Sequence, residues 1–189
     1  PFPMLHALGD MLRGRGAATN LTAACRAREG RYPAGYRWMR CFQNHDYANC
    51  APGEPRWEEK YGLDLNDGLL ATIFTLDGVP LLFCGNELAD ADERHSMFGK
   101  TPMDWSQPDR APGRARHALV KELARLRREH PALTAVNGRD GLIWLDTTKP
   151  DAVSAFVRRG GGETLLVVQN WTGREVSCDV SFAAPKESV

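Results

Sequence analysis

The chain has 189 residues, 42% of them hydrophobic, a composition of folded globular proteins that argues against disorder. Lys plus Arg and Asp plus Glu number 24 each, so the formal net charge is zero, and nothing marks a surface for nucleic acid or an anionic membrane. No apolar run approaches the roughly 20 residues needed to span a bilayer.

Cys25, Cys41, Cys50, Cys84 and Cys178 are odd in number, scattered, and without a C-x-x-C pair. They read as isolated thiols in a reducing compartment, which favours the cytoplasm. Pro1-Phe2-Pro3 has no initiator Met and no basic n-region, so the lack of a leader carries no information.

In chain order, residues 3–29 read as helical. Leu5, Leu8, Leu12 and then Leu21, Ala24 and Cys25 recur at spacings of three and four, with a break at Gly14-Arg15-Gly16. A turn over residues 30–35 leads to a predicted buried strand, Tyr36 to Gln43. That strand opens into Asn44-His45-Asp46, an amide, an imidazole and a carboxylate side by side. A polar excursion to about Asp64 follows, with Trp57 placed either to stack on a ligand or to pack, and with a charged Glu58-Glu59-Lys60 run.

A helix is expected over Leu65 to Thr75, and a second buried strand over Val79 to Cys84. It runs into Gly85-Asn86-Glu87 and a second polar loop that extends to about Gly113. In that loop Asp90, Asp92 and Glu93 read as solvated acids, Arg94 and His95 as candidate substrate contacts, and Trp105 as packing. A metal site from His45, Asp46, Asp92 and His95 lacks any H-x-x-x-H or H-E-x-x-H spacing. The clearest helix is Ala115 to Glu129, with Ala115, Leu119, Leu123 and Leu126 as its buried stripe. Arg125, Arg127 and Arg128 read as a solvated basic face.

Beyond Asn137-Gly138 the pattern turns to short strands near 142–145, 152–157, 164–168 and 176–180. Gly160-Gly161-Gly162 serves there as a hairpin turn. The sequence therefore divides into an α/β part, residues 1–136, and a small antiparallel all-β part, residues 137–189. Alternating helix, strand and long loop is the grammar of a parallel sheet or barrel. Catalytic groups in such barrels sit where strands end. Two strand–helix units cannot cover both faces of a parallel sheet, and a full barrel takes about 250 residues, so an upstream part is expected.

Four segments, in order, resemble the α-amylase family of glycoside hydrolases. Cys41-Phe42-Gln43-Asn44-His45-Asp46 is similar to the family's F-x-x-N-H-D region, with Cys41 standing where Phe is frequent. Asp77 to Glu87 resembles its eighth barrel strand and Pro102-Met103-Asp104-Trp105 its P-M-x-W segment. Leu126 to Leu133 resembles the helix end that leads into a C-terminal β domain.

The resemblance implies the last two units of a (β/α)8 TIM barrel followed by an incomplete C-terminal β-sandwich. It implies a retaining enzyme acting on α-glucosidic bonds in an α-glucan or oligosaccharide. Asp46 would stabilise the transition state and His45 would hydrogen-bond the substrate, with Asn44, Arg94 and His95 on the substrate-binding side. Glu87 would be structural. The family's nucleophilic Asp and acidic Glu would lie upstream, so the segment alone is expected to be inactive. No cofactor or metal is expected in it, although calcium is compatible with the longer protein. The alternatives are a non-catalytic barrel relative that serves as a scaffold, and a carbohydrate-binding module made of the β part alone.

Overall fold

The computed structural model describes residues 2–14, 16–26, 32–33, 35–46, 55–95, 101–135 and 141–181. Helices α1 (Phe2–Leu12) and α2 (Ala18–Arg26) form an antiparallel pair that buries Met4, Leu5, Leu8, Leu21 and Cys25. The break between them follows from Gly14, at φ +68°.

The two predicted buried strands run parallel and adjacent. Only β1 (Met39–Arg40) and β2 (Val79–Pro80) form a regular ladder, with Met39 opposite Val79 and Arg40 opposite Pro80. Both were expected to be longer. Pro80 brings no N–H to the ladder, and among the described residues each strand has one neighbour. The pairing bonds run from Val79 N to Trp38 O (2.6 Å) and from Leu81 N to Arg40 O (2.8 Å). Arg40 bridges the pair by donating to both the backbone carbonyl and the carboxylate of Asp77.

Helix α3 (Trp57–Tyr61) lies inside the expected polar excursion. Helix α4 (Leu63–Thr75) starts two residues before the expected position. Trp57 is 4% exposed and packs on Phe42 and Tyr61, so it is a core residue and not a ligand platform. Buried Asn66 ties α3 to α4 by donating to Trp57 O (2.8 Å) and Gly62 O (2.7 Å).

Helix α5 (Gly113–Glu129) turns a different face inward from the one expected. Gly113, Arg116, Val120 and Leu123 are buried, with Leu119 and Leu126 half-covered and Ala115 exposed. The stripe is rotated because Arg116 goes inward to an ion network. Arg127 is also not solvated. Its guanidinium donates to Phe74 O (2.6 Å), Leu76 O (3.1 Å) and Gly78 O, and so satisfies carbonyls that the end of α4 leaves open. Burial lowers the pKa of this guanidinium.

Helix α6 (Pro131–Thr134) leads to one antiparallel sheet in the order β5-β4-β3-β6, where β3 is Leu142–Thr147, β4 Val153–Gly160, β5 Glu163–Asn170 and β6 Val180–Ser181. The Gly161-Gly162 turn, at φ +59° and +79°, closes the β4–β5 hairpin, a two-residue connection that needs left-handed backbone. The resemblance implied a sandwich. Among the described residues the second layer comes from helices instead. β4 is buried along nearly its whole length against α6 and α2, and Phe156 and Leu142 share one core with Leu21, Leu70, Ile73 and Val120.

Arg158, fully buried at the centre of β4, stitches this contact. It donates to Thr75 O (2.8 Å), Gly141 O (3.0 Å), Ala135 O (3.3 Å) and Leu133 O (3.4 Å). Desolvation pulls its guanidinium down to about 10.

Gly78 and Gly68 give opposite expectations. Gly78 sits at φ +93°, and a Cβ there would fall 2.1 Å from Trp38 O. Gly78→Ala should cost roughly 2 kcal/mol or more in chemical denaturation. Gly68 lies within α4, where an added Cβ meets nothing within 4 Å. Gly68→Ala should be neutral or stabilising by up to about 1 kcal/mol.

Candidate functional site

The chain becomes polar as it leaves β1. Cys41, Phe42 and Gln43 are buried, and burial pushes the Cys41 thiol up. Asn44 is half-covered, and His45 and Asp46 stand in an exposed turn. Asp46 N donates to Asn44 Oδ1 (2.9 Å), so the amide holds the turn that presents the two side chains after it. His45 Nε2 lies 3.3 Å from Asp46 Oδ1, with the side chains 56% and 52% exposed. An imidazole beside a carboxylate, both open to solvent and both fixed at a strand end, suits hydrogen bonding to hydroxyls.

The second polar loop reverses direction at Gly85, where φ is +93° and a Cβ would fall 2.7 Å from Asp90 Cβ. A short 3-10 turn, Asn86–Leu88, follows, and Ala89 takes left-handed backbone at φ 56°. This fold-back drives Asp90 inward. It is 2% exposed, so it is not a solvated acid as its sequence context suggests. Its carboxylate faces His95 Nδ1 (2.8 Å), Arg56 Nη1 (3.6 Å), Gln107 Nε2 (3.3 Å) and the backbone N–H of Asp92 (3.2 Å).

Beside it Asp92 receives a two-point clamp from Arg94, Nε to Oδ1 (2.8 Å) and Nη2 to Oδ2 (2.6 Å). The clamp lowers the Asp92 carboxyl well below the usual range and raises the Arg94 guanidinium. Asp90, Asp92, Arg94, His95, Asp104, Gln107 and Arg110 line one polar cleft of about 420 Å³. Asp104, its pKa lowered by the Ser106 hydroxyl and backbone N–H, pairs with Arg110 across the rim.

The structure thus brings Arg94 and His95 together in one cleft. Asn44, His45 and Asp46 stand in the turn after β1, outside the lining of that cleft. The proposed metal combination does not form: no group of three or more His, Cys, Asp or Glu placed to hold a metal occurs among the described residues. Trp105 is 68% exposed and does not pack as expected, because the Asp104–Ser106 turn lifts it from the surface.

What joins the two strand ends is a buried ionic network absent from the sequence reading. Glu58, on α3, is 4% exposed. It accepts from Gln43 Nε2 (2.7 Å) and Asn86 Nδ2 (3.0 Å), with Arg116 Nη1 at 3.5 Å and Arg56 Nε at 3.9 Å. Arg56, wholly buried, donates onward to Cys84 O (2.7 Å) and His95 O (3.2 Å). Arg116 donates to Asn86 O (3.1 Å) and Leu63 O (3.3 Å). Gln43 precedes the His45–Asp46 turn, and His95 belongs to the cleft, so a single carboxylate and its two arginines position both. The sequence signal was present but ambiguous, since a Glu-Glu-Lys run on a loop is ordinarily solvated.

Glu58→Gln leaves Arg56 and Arg116 without their shared carboxylate in the interior. It should cost roughly 3–5 kcal/mol in denaturant unfolding, against less than about 0.5 kcal/mol for Glu59→Gln on the exposed side. Asp92 should titrate, in carboxyl-resolved NMR, below the ordinary aspartate range. Because its folded pKa is depressed, the clamp holds at neutral pH and is released only as pH falls through that lowered value. An ordinary midpoint would contradict the ion pair.

No family model matches the chain. It is 36% identical over 126 residues to a 1,4-alpha-glucan branching enzyme GlgB of Cupriavidus necator, which covers 64% of this chain and 16% of the relative. It is 27% identical over 165 residues to the alpha-amylase MalA of Haloarcula japonica, 85% of this chain and 22% of the relative. Among solved structures it resembles the maltogenic alpha-amylase AmyB of Thermotoga neapolitana at a TM-score of 0.79 and 23% identity, over 100% of this chain and 41% of that one. A cyclic alpha-maltosyl-(1→6)-maltose hydrolase of Arthrobacter globiformis follows at 0.66 and 20%, over 89% and 36%. The chain thus spans about a fifth or less of these two curated relatives.

Proposed function

We propose that this segment, which belongs to the α-amylase family, supplies one wall of the active site of a longer enzyme that hydrolyses or transfers α-glucosidic bonds. The observation that carries the reading is the turn after β1, where Asn44 holds the backbone and His45 and Asp46 project side by side into solvent. In this reading the Asp46 carboxylate accepts hydrogen bonds from ring hydroxyls of the sugar at the scissile bond, and His45 bonds a neighbouring hydroxyl. Such contacts tighten as the sugar ring flattens toward an oxocarbenium-like geometry, and that differential binding lowers the barrier.

Asn44 acts through the turn it stabilises. Arg94 and His95 take part in a more distant subsite, where the clamped Asp92 and the buried Asp90 fix their positions. The nucleophile and the general acid of a retaining mechanism belong to upstream strands of the same barrel, so residues 1–189 alone bind sugar weakly and turn nothing over. A need for calcium would likewise reside upstream.

In the full-length protein Asp46→Asn should lower kcat on a maltooligosaccharide at least about 100-fold, equivalent to roughly 3 kcal/mol of transition-state stabilisation. Its thermal midpoint should stay within about 2 °C of the parent, because the side chain is exposed. A parallel loss of stability and activity would assign Asp46 a structural role. An unchanged kcat would remove it from the chemistry.

A further inference from the structure

The largest described cleft lies outside the candidate site. It occupies about 710 Å³ between the start of α4 and the end of β5, and is lined by Tyr61, Asp64, Gly68, Asn170, Trp171 and Thr172 among others. None of its lining residues belongs to the Asp90–Arg110 cleft or to the His45–Asp46 turn. Its volume falls within the range of small-molecule sites.

Two aromatic rings stand in its walls, each anchored from behind. The Trp171 indole N–H donates to Ser154 Oγ (2.8 Å), and Trp171 N donates to Ala152 O (2.9 Å). The polar handle of the indole is thus spent inside the protein, and the ring remains as apolar wall. Tyr61 meets Trp57 edge-on at 5.3 Å.

At the rim, Asn170 and Thr172 are locked to each other. Asn170 Oδ1 accepts from Thr172 N (2.9 Å) and Thr172 Oγ1 (2.7 Å), which fixes the loop end. Asp64 is exposed. The floor is open, since small Gly68 and Ala71 face it and an added Cβ at Gly68 meets nothing within 4 Å. Gln169 holds the helix to the strand by donating to Thr72 Oγ1 (2.7 Å) and Gly68 O (3.3 Å).

No Arg or Lys lines the cleft, and its one charge is the Asp64 carboxylate, a lining that repels phosphate-bearing ligands. A purely apolar ligand gains nothing from that carboxylate. Rigid aromatic walls with a carboxylate at the rim suit a neutral polyhydroxylated ring, whose C–H faces cover the aromatics while its hydroxyls meet the acid. We infer that this cleft is a second, non-catalytic oligosaccharide site, which holds a glucan chain apart from the reacting end. The assignment to α-glucan, as against another sugar chain, rests on the proposed function.

The test is isothermal titration of the full-length protein with maltoheptaose, with cellohexaose as the control chain. Two binding events are expected for maltoheptaose. Gly68→Leu, which fills the open floor, should abolish one of them or weaken it at least about tenfold, and Asp64→Ala at the exposed rim should weaken the same event about three- to tenfold. Asp46→Asn should affect only the other event.

A single event that responds to Asp46→Asn alone would overturn the second site and leave the proposed function standing. So would two events that both ignore Gly68→Leu and Asp64→Ala. If the parent turns over no α-glucan, yet shows a maltoheptaose event that Gly68→Leu removes, the second site stands and the proposed function falls. Preference for cellohexaose in the event sensitive to Gly68→Leu would overturn the α-glucan assignment.

Discussion

The described site depends on how one buried carboxylate is neutralised. Glu58 lies in the interior between Arg56 and Arg116, and removing two or three charges from water costs several kcal/mol per ion unless geometry and hydrogen bonds repay it. Repayment comes from four elements at once. Gln43 arrives from the end of β1, Asn86 from the turn after β2, Arg116 from α5, and Arg56 from the residue before α3. Each of these segments has other constraints, but the network is where they are brought into register. Arg56 then reaches two backbone carbonyls in the second loop, so the charge that neutralises Glu58 also fixes the path to His95.

Such a centre explains why α5 turns an arginine inward at the expense of an apolar stripe. By hydrophobic spacing alone the helix would rest on Ala115, Leu119, Leu123 and Leu126. Burying Arg116 rotates it, exposes Ala115 and brings Val120 to the core. It also leaves a cost unmet, because Gln43 Oε1 and Arg56 Nε have no hydrogen-bond partner among the described atoms. A network retained at such cost is the kind of positioning device expected beside a site that must keep its geometry.

Much of the architecture was legible from residue spacing. Helices α1, α2, α4 and α5, the two adjacent buried strands, and the glycine-turned hairpin between β4 and β5 all follow from hydrophobic period and turn chemistry. The turn carrying Asn44, His45 and Asp46 was legible because polar residues directly after an apolar strand are a local signal. What was not legible depended on partners distant in sequence. Glu58 and Arg116 are 58 positions apart, and nothing near Glu58 distinguishes it from exposed Glu59. Asp90 resembled its solvated neighbours until the left-handed residues Gly85 and Ala89 turned it inward. Arg127 and Arg158 resembled surface bases, but both serve carbonyls at the ends of helices. In each case the competing influence was a buried polar demand, which leaves no periodic trace.

Arg158 has a consequence for how such a protein can be rebuilt. Its acceptors lie at Thr75, Leu133, Ala135 and Gly141, on both sides of the junction near residue 136 that composition suggests. A chimera that took its carboxy-terminal sheet from one homologue and its helices from another would cut through this set of bonds. It would strand an ionised guanidinium among carbonyls shaped for a different side chain. The seam for exchanging parts therefore lies upstream of Thr75, and the sheet is inherited together with the helices it rests on.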